Sequence, residues 1–141
     1  MKAFQHIVVG VDGSDAGAEA AEVAGRLALD LDAKVTAVHV RQIMALWSPL
    51  APGIDPEAYW QSAERLASDR TAEVLDRIGA PWRLEVRTGD AATQLELVAA
   101  EHDADLIVVG ARGHTGARRL LLGSVSTRLV HHAARPVLVV R

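Results

Sequence analysis

Two segments of this 141-residue chain, Ile7-Val8-Val9-Gly10-Val11 and Leu106-Ile107-Val108-Val109-Gly110, carry no polar side chain, and each runs into a glycine-containing turn. A strand with one face in water alternates polar and apolar residues, whereas a run without alternation belongs to a strand covered on both faces, as in a parallel sheet. Residues 136–140 have the same character, and residues 35–40 approach it, with Thr36 and His39 as their only polar side chains. Residues 82–87 differ: Trp82, Leu84 and Val86 alternate with Arg83, Glu85 and Arg87, which predicts a half-exposed edge strand.

Helical spacing fills the intervals. Residues 16–30 bring Ala20, Val23, Ala24, Leu27 and, just beyond, Leu31 onto one face, and the alanines add intrinsic propensity. Asp55-Pro56-Glu57 is a start signal, with a capping carboxylate, proline at the first helical position and an acid in the first turn; Gly79 and Pro81 end that helix near Ile78. Asp90 caps a shorter helix that runs to about His102, and Ser124 is the expected cap of the last, which ends near Ala133. The order β-α-β-α-β-α-β-α-β predicts one α/β domain over residues 1–141: a doubly wound open sheet of five parallel strands, order 3-2-1-4-5, with helices on both faces. In such sheets ligands bind beyond the carboxyl ends of the strands where the strand order reverses, here between strands one and four. The turns that meet there are residues 12–14 and 110–124.

Composition removes whole classes of function. No cysteine means no disulfide scaffold, cysteine zinc site or cysteine nucleophile. Aromatic residues make up only 4% of the chain, so a stacking platform for nucleic-acid bases is not expected. The net charge of -3 argues against general attraction to nucleic-acid phosphates, so any bound phosphate must be held locally. No stretch approaches the ~20 apolar residues of a membrane helix, and residues 1–11 lack the form of a signal peptide, so a cytoplasmic location without membrane contact is the expectation.

The second of the two turns reads Gly110-Ala111-Arg112-Gly113-His114-Thr115-Gly116-Ala117-Arg118-Arg119-Leu120-Leu121-Leu122-Gly123-Ser124. Its glycines let backbone approach a ligand closely, and a helix opening at Ser124 points free amides back to the crevice, an arrangement that favours phosphate. Neither G-x-x-x-x-G-K-[ST] nor G-x-G-x-x-G is present, so no P-loop lysine can be assigned. By spacing alone, a surface loop with turn glycines explains the segment equally well. Asp12 has two readings as well, a carboxylate for ribose hydroxyls or ordinary strand-to-helix punctuation.

The pattern G-x2-G-x9-G-[ST] at Gly110, Gly113, Gly123 and Ser124, with Val11-Asp12-Gly13-Ser14 after the first strand, resembles the ATP-binding branch of the universal stress protein family. The likeness extends to His39-Val40 at the end of the second strand and to the closing Arg-Pro-Val-Leu-Val-Val at 135–140. It implies that Asp12 bonds ribose, that Val40 meets the adenine edge through its backbone, and that Gly110 lies against ribose and the first phosphate. Gly113, Gly123, Ser124, Val125 and Ser126 would cradle the phosphates, with Mg2+ bridging them. Val11, Gly13, Ser14, Ala111 and Arg112 flank these positions and complete the expected binding set. The resemblance further implies a homodimer through strand 136–140 and a nucleotide-dependent regulatory module in a stress response, with an unidentified protein partner. A slow ATP hydrolase or nucleotidyl-transfer enzyme is the rival reading, although Asp12, His39 and His114 offer no convincing base.

The remaining residues carry less. Arg112, Arg118, Arg119 and Arg128 are candidates to neutralise phosphate. His39 reads as a satisfied core histidine, His114 as an exposed loop residue, and His131-His132 as complements to a helix dipole. Asp103 and Asp105 read as turn residues at the far edge of the sheet. Trp47, Tyr59 and Trp60 are three of the chain's five aromatic rings. They lie in or beside residues 43–54, a segment that is either a lid over the nucleotide, a partner surface or a loop packed on its own helix.

Overall fold

The computed structural model describes residues 4–42, 53, 55–111 and 122–141. Along the chain run β1 (His6–Gly10), α1 (Asp15–Leu31), β2 (Lys34–Arg41), α2 (Pro56–Ile78), β3 (Trp82–Thr88), α3 (Ala91–Glu101), β4 (Leu106–Gly110), α4 (Ser124–His132) and β5 (Val137–Val140). The strands form one parallel sheet in the order β3-β2-β1-β4-β5, the expected winding. Register pairs Val8 with Thr36 on one side and Ile107 on the other.

The apolar runs divide by parity between two cores. Ile7, Val9, Val35, Ala37, Leu106 and Val108 pack against α1 and α2, while Val8, Val38, Ile107 and Val109 pack against α3 and α4. Burial on both sides is the reason these strands carry no polar alternation. Helix ends follow local chemistry. Asp55 accepts the Glu57 amide at 3.1 Å ahead of Pro56, and Gly79, at φ 86°, closes α2. Asp90 accepts the Thr93 amide at 3.0 Å.

Two expectations are corrected. The buried face of α1 is Gly17, Ala20, Ala21, Ala24, Gly25 and Ala28; Val23 and Leu27 are only half-buried, and Leu31 is 39% exposed. Close approach selects the small residues, since a Cβ on Gly25 would come within 2.8 Å of Leu75 Cδ2 from α2. The cap of α4 is Gly123, not Ser124, which is already the first helical residue.

β3 is the edge strand that its alternation predicts. In register, Arg83 lies beside Thr36, Glu85 beside Val38 and Arg87 beside Val40, on the sheet face that also carries α3. There they form ion pairs rather than a core: Arg87 binds Glu85 at 2.9 Å and also Glu101, and His102 Nε2 lies 3.1 Å from Glu85 Oε1. The Arg87 hydrogen bond holds the Glu101 carboxyl below its ordinary range.

His6, at the head of β1, is buried, hydrogen-bonded to Thr36 Oγ1 at 2.7 Å and 5.6 Å from the His102 ring. Burial, and then the charge of Lys34, lower its pKa from the ordinary 6.5. The folded chain therefore binds this proton less readily than the unfolded chain does. The stabilisation from neutral His6 is complete above pH 6.5 and is lost as pH falls below that value. The urea midpoint is expected to decline from about pH 7 to about pH 5, with a shallower slope in His6→Gln. Parallel slopes in the two proteins would remove His6 from the explanation.

Candidate functional site

The first wall of the crevice is the turn between β1 and α1. Val11 is buried and donates its amide to the Val38 carbonyl at 2.9 Å, which ties the turn to β2. His39, also buried, donates from Nδ1 to the Val11 carbonyl at 3.2 Å, a packing role rather than an open one. Asp12 Oδ1 accepts the Ser14 amide at 2.9 Å and the Ser14 hydroxyl, closing an Asx turn. Ser14 caps α1 by accepting the Gly17 amide on Oγ at 3.1 Å. Gly13 adopts φ 82°, a left-handed conformation that side chains rarely tolerate. Gly17 leaves room for the carboxylate, since a Cβ there would lie 2.8 Å from Asp12 Oδ1.

The second wall begins where β4 ends. A Cβ on Gly110 would meet the Ala16 carbonyl oxygen at 2.9 Å, so the missing side chain is what allows α1 to start against β4. Ala111 donates its amide to the Val140 carbonyl at 2.7 Å and accepts the Gly123 amide at 2.5 Å. Ser126 is 1% exposed, and its hydroxyl donates to the carbonyls of both Ala111 (3.2 Å) and Gly123 (3.1 Å). The two ends of the long turn are thus fastened together, and α4 starts beside the end of β4.

At that start the amides of Ser124, Val125 and Ser126 have no acceptor within the helix, because its first turn cannot supply one. The exposed Ser124 hydroxyl has no partner among the described residues. Free amides, a positive helix end and a hydroxyl are the groups from which anion sites are built. Val40, near the end of β2, is half-buried and contacts the α3-side core.

The fold therefore brings Val11, Asp12, Gly13 and Ser14 to the same end of the sheet as Gly110, Ala111, Gly123, Ser124, Val125 and Ser126, with Val40 on the next strand. Arg112 and Gly113 lie outside the described residues, as do His114, Gly116, Arg118, Arg119 and Trp47. Arg128, a candidate to neutralise phosphate, pairs with the Asp90 carboxylate at 2.5 Å, at the N-terminus of α3. Asp105 accepts the amides of Gln5 (2.7 Å) and His6 (3.0 Å), and Asp103 adopts φ 51° and pairs with Arg135 at 3.6 Å.

The sequence matches the model of the universal stress protein family over residues 3–141. The chain belongs to that family. A universal stress protein of Methanocaldococcus jannaschii is 35% identical over 98% of this chain and 82% of its own length. Relatives from Mycolicibacterium smegmatis and Mycobacterium tuberculosis are 34% identical, and the chain spans about half their length. Among solved structures, the universal stress protein UspA of Lactobacillus plantarum aligns with a TM-score of 0.83 at 27% identity, over 98% of both chains. Another universal stress protein, solved in complex with cAMP, aligns at 0.69 and 31% identity over 99% of this chain and 98% of its own. Nucleotide-bound members thus occur among this chain's structural neighbours.

One residue of the family crevice escapes sequence reasoning in this chain. Arg70 of α2 donates from one guanidinium nitrogen to the Gly13 carbonyl at 2.8 Å and from another to Asp15 at 2.7 Å. No local pattern signals it, because its partners lie more than fifty residues upstream.

Proposed function

We propose that this chain binds ATP in the crevice between β1 and β4 and acts as a regulatory module whose nucleotide state alters a contact with a protein partner in a stress response. The observation that carries the reading is the Ala111–Gly123 fastening, which places the open start of α4 at the sheet end that also holds the Asp12 turn. The residues fit the ligand. The amides of α4 and the Ser124 hydroxyl suit phosphate, the Asp12 carboxylate suits ribose hydroxyls, and the Val40 backbone suits the adenine edge. A relative's complex with cAMP supports an adenine nucleotide. Mg2+ would supply charge neutralisation between phosphates, a need that an anion site built mainly of neutral amides leaves unmet. A homodimer through β5 completes the proposal.

Nucleotide released by denaturing freshly purified protein and separated by ion exchange tests the reading, together with calorimetric titration of ATP, with and without Mg2+, and of cAMP. Released ATP, or micromolar ATP binding that exceeds cAMP binding, supports it. Released ADP favours turnover. Tighter cAMP than ATP binding, or no binding of either, overturns it. Ser124→Ala is expected to weaken ATP binding by about 1.5–3 kcal/mol, one charge-assisted hydrogen bond. Unchanged affinity would remove Ser124 from the phosphate site.

A further inference from the structure

We propose that Arg70 is a positioning residue for ribose recognition, acting on Asp12 through the Gly13–Ser14 peptide; the inference rests on the nucleotide reading above. Two hydrogen bonds meet on one peptide plane. Its carbonyl, that of Gly13, accepts from Arg70 Nη1 at 2.8 Å. Its amide, that of Ser14, donates to Asp12 Oδ1 at 2.9 Å. A guanidinium on α2 and a carboxylate at the crevice are therefore bonded to opposite ends of the same rigid amide. Polarising the carbonyl with a cation strengthens the amide as a donor, so the two bonds reinforce each other.

Among the described residues, no other donor bonds the Gly13 carbonyl. The preceding torsion, at Gly13, is the left-handed φ of 82°, in the one residue type with the freest backbone. A tether is what keeps such a peptide from turning over. Leu66, one helical turn before Arg70, excludes a side chain at Gly13: its Cγ lies 2.9 Å from where a Gly13 Cβ would stand. The second Arg70 contact, to Asp15, is of a different kind. Asp15's side chain is 91% exposed, and an ion pair in water contributes little. The Gly13 bond, from an arginine whose side chain is only one-third exposed, carries the positioning.

The consequence is specific to the sugar. A carboxylate held in part by the Ser14 amide, beside the Ser14 hydroxyl, loses alignment with ribose hydroxyls when the peptide is released, while the phosphate contacts at α4 have no Arg70 bond among the described residues. The test compares ATP with 2′,3′-dideoxy-ATP by calorimetric titration in the wild-type chain, Arg70→Met, Arg70→Lys and Asp15→Asn. Amide exchange at Ser14 is measured by NMR on the same proteins without nucleotide.

Arg70→Met is expected to lose roughly tenfold in ATP affinity, about one misaligned charge-assisted hydrogen bond, while dideoxy-ATP affinity stays within about twofold. Arg70→Lys, which keeps a cationic donor, recovers part of the loss, and Asp15→Asn stays near wild type. Ser14 exchange speeds up in Arg70→Met. Equal losses for both nucleotides would mean general damage to the crevice and overturn the proposal, as would unchanged Ser14 exchange. A wild-type chain that binds neither nucleotide, or both equally, fails the ribose reading itself and with it the sugar-specific role. The Ser14 exchange result then still decides whether Arg70 holds the peptide.

Discussion

Gly110→Ala is expected to destabilise the protein by about 1–3 kcal/mol, the usual cost of overpacking a close contact. For a chain of this size that lowers the thermal midpoint by roughly 3–10 °C. The new methyl would stand 2.9 Å from the Ala16 carbonyl oxygen, 3.0 Å from Ala16 Cβ and 3.1 Å from the carbonyl carbon. Two of these are backbone atoms in the first turn of α1, so no side-chain rotation relieves the contact. Helix and strand must move apart, and the start of α1 carries the Asp12–Ser14 turn with it. Nucleotide binding should fall together with stability. Gly10→Ala is the matched control: at the end of the neighbouring strand β1, its Cβ would meet Leu95 Cδ1 at 3.2 Å, the far end of a flexible side chain. That variant should cost less than ~1 kcal/mol. A midpoint unchanged in Gly110→Ala, or lowered equally in both variants, would show that α1 does not need this glycine in order to dock. Such a result would return Gly110 to a ligand-contact role alone, as the family resemblance implies.

This contrast shows where sequence reasoning succeeds and where it stops. Continuous runs such as 106–110 announce burial on both faces because each residue, whichever way it points, meets a helix, and that alone fixes a parallel sheet. Asp55, Gly79 and Asp90 are legible because caps are local: the groups they satisfy lie within a few residues. The face of α1 differs from its sequence pattern because large apolar residues mark a helix that packs at ordinary distance. α1 packs so close to the sheet and α2 that glycine and alanine mark the contact, and Leu31 remains outside. Gly123 displaces Ser124 as cap because the Ala111 carbonyl captures the Gly123 amide, a contact that spans the long turn. Arg70 and His6 carry no local signal for the same reason, since their partners, Gly13 and Thr36, are brought to them only by the folded sheet.

The proposed dimer makes the second large prediction. β5 ends the sheet with four apolar residues, Val137, Leu138, Val139 and Val140, and Leu138 is 36% exposed. An apolar edge without charge or proline inside it is open to pairing with another strand. The direction of its backbone groups is set by β4: the Ile107 amide donates to Pro136 at 3.0 Å and the Ala111 amide to Val140 at 2.7 Å. Alternation along the strand then turns residues 136, 138 and 140 toward β4, and residues 137 and 139 away from it. Val139→Pro therefore removes an amide that faces outward and leaves the β4 ladder intact, which is the placement a sheet edge tolerates. If two copies pair through β5 across a two-fold axis, the same amide serves in both, so one substitution removes it twice.

Sedimentation equilibrium at micromolar concentration is expected to find the wild-type chain as a dimer, Val139→Pro as a folded monomer, and Val139→Thr, which keeps the amide, still dimeric. A monomeric wild type, or a dimeric proline variant, would rule out pairing through this edge. The thermal midpoint of the wild type should rise with protein concentration, and that of the proline variant should not. The same variants test whether the dimer and the crevice communicate. Ala111 bonds Val140 through its amide, and both Gly123 and Ser126 through its carbonyl, so strand β5 and the start of α4 are fastened to one residue. Coupling through it must be reciprocal. If ATP binds the monomeric variant more weakly than the wild type, ATP must also tighten the wild-type dimer; equal affinity would mean that the two sites share a residue without exchanging free energy.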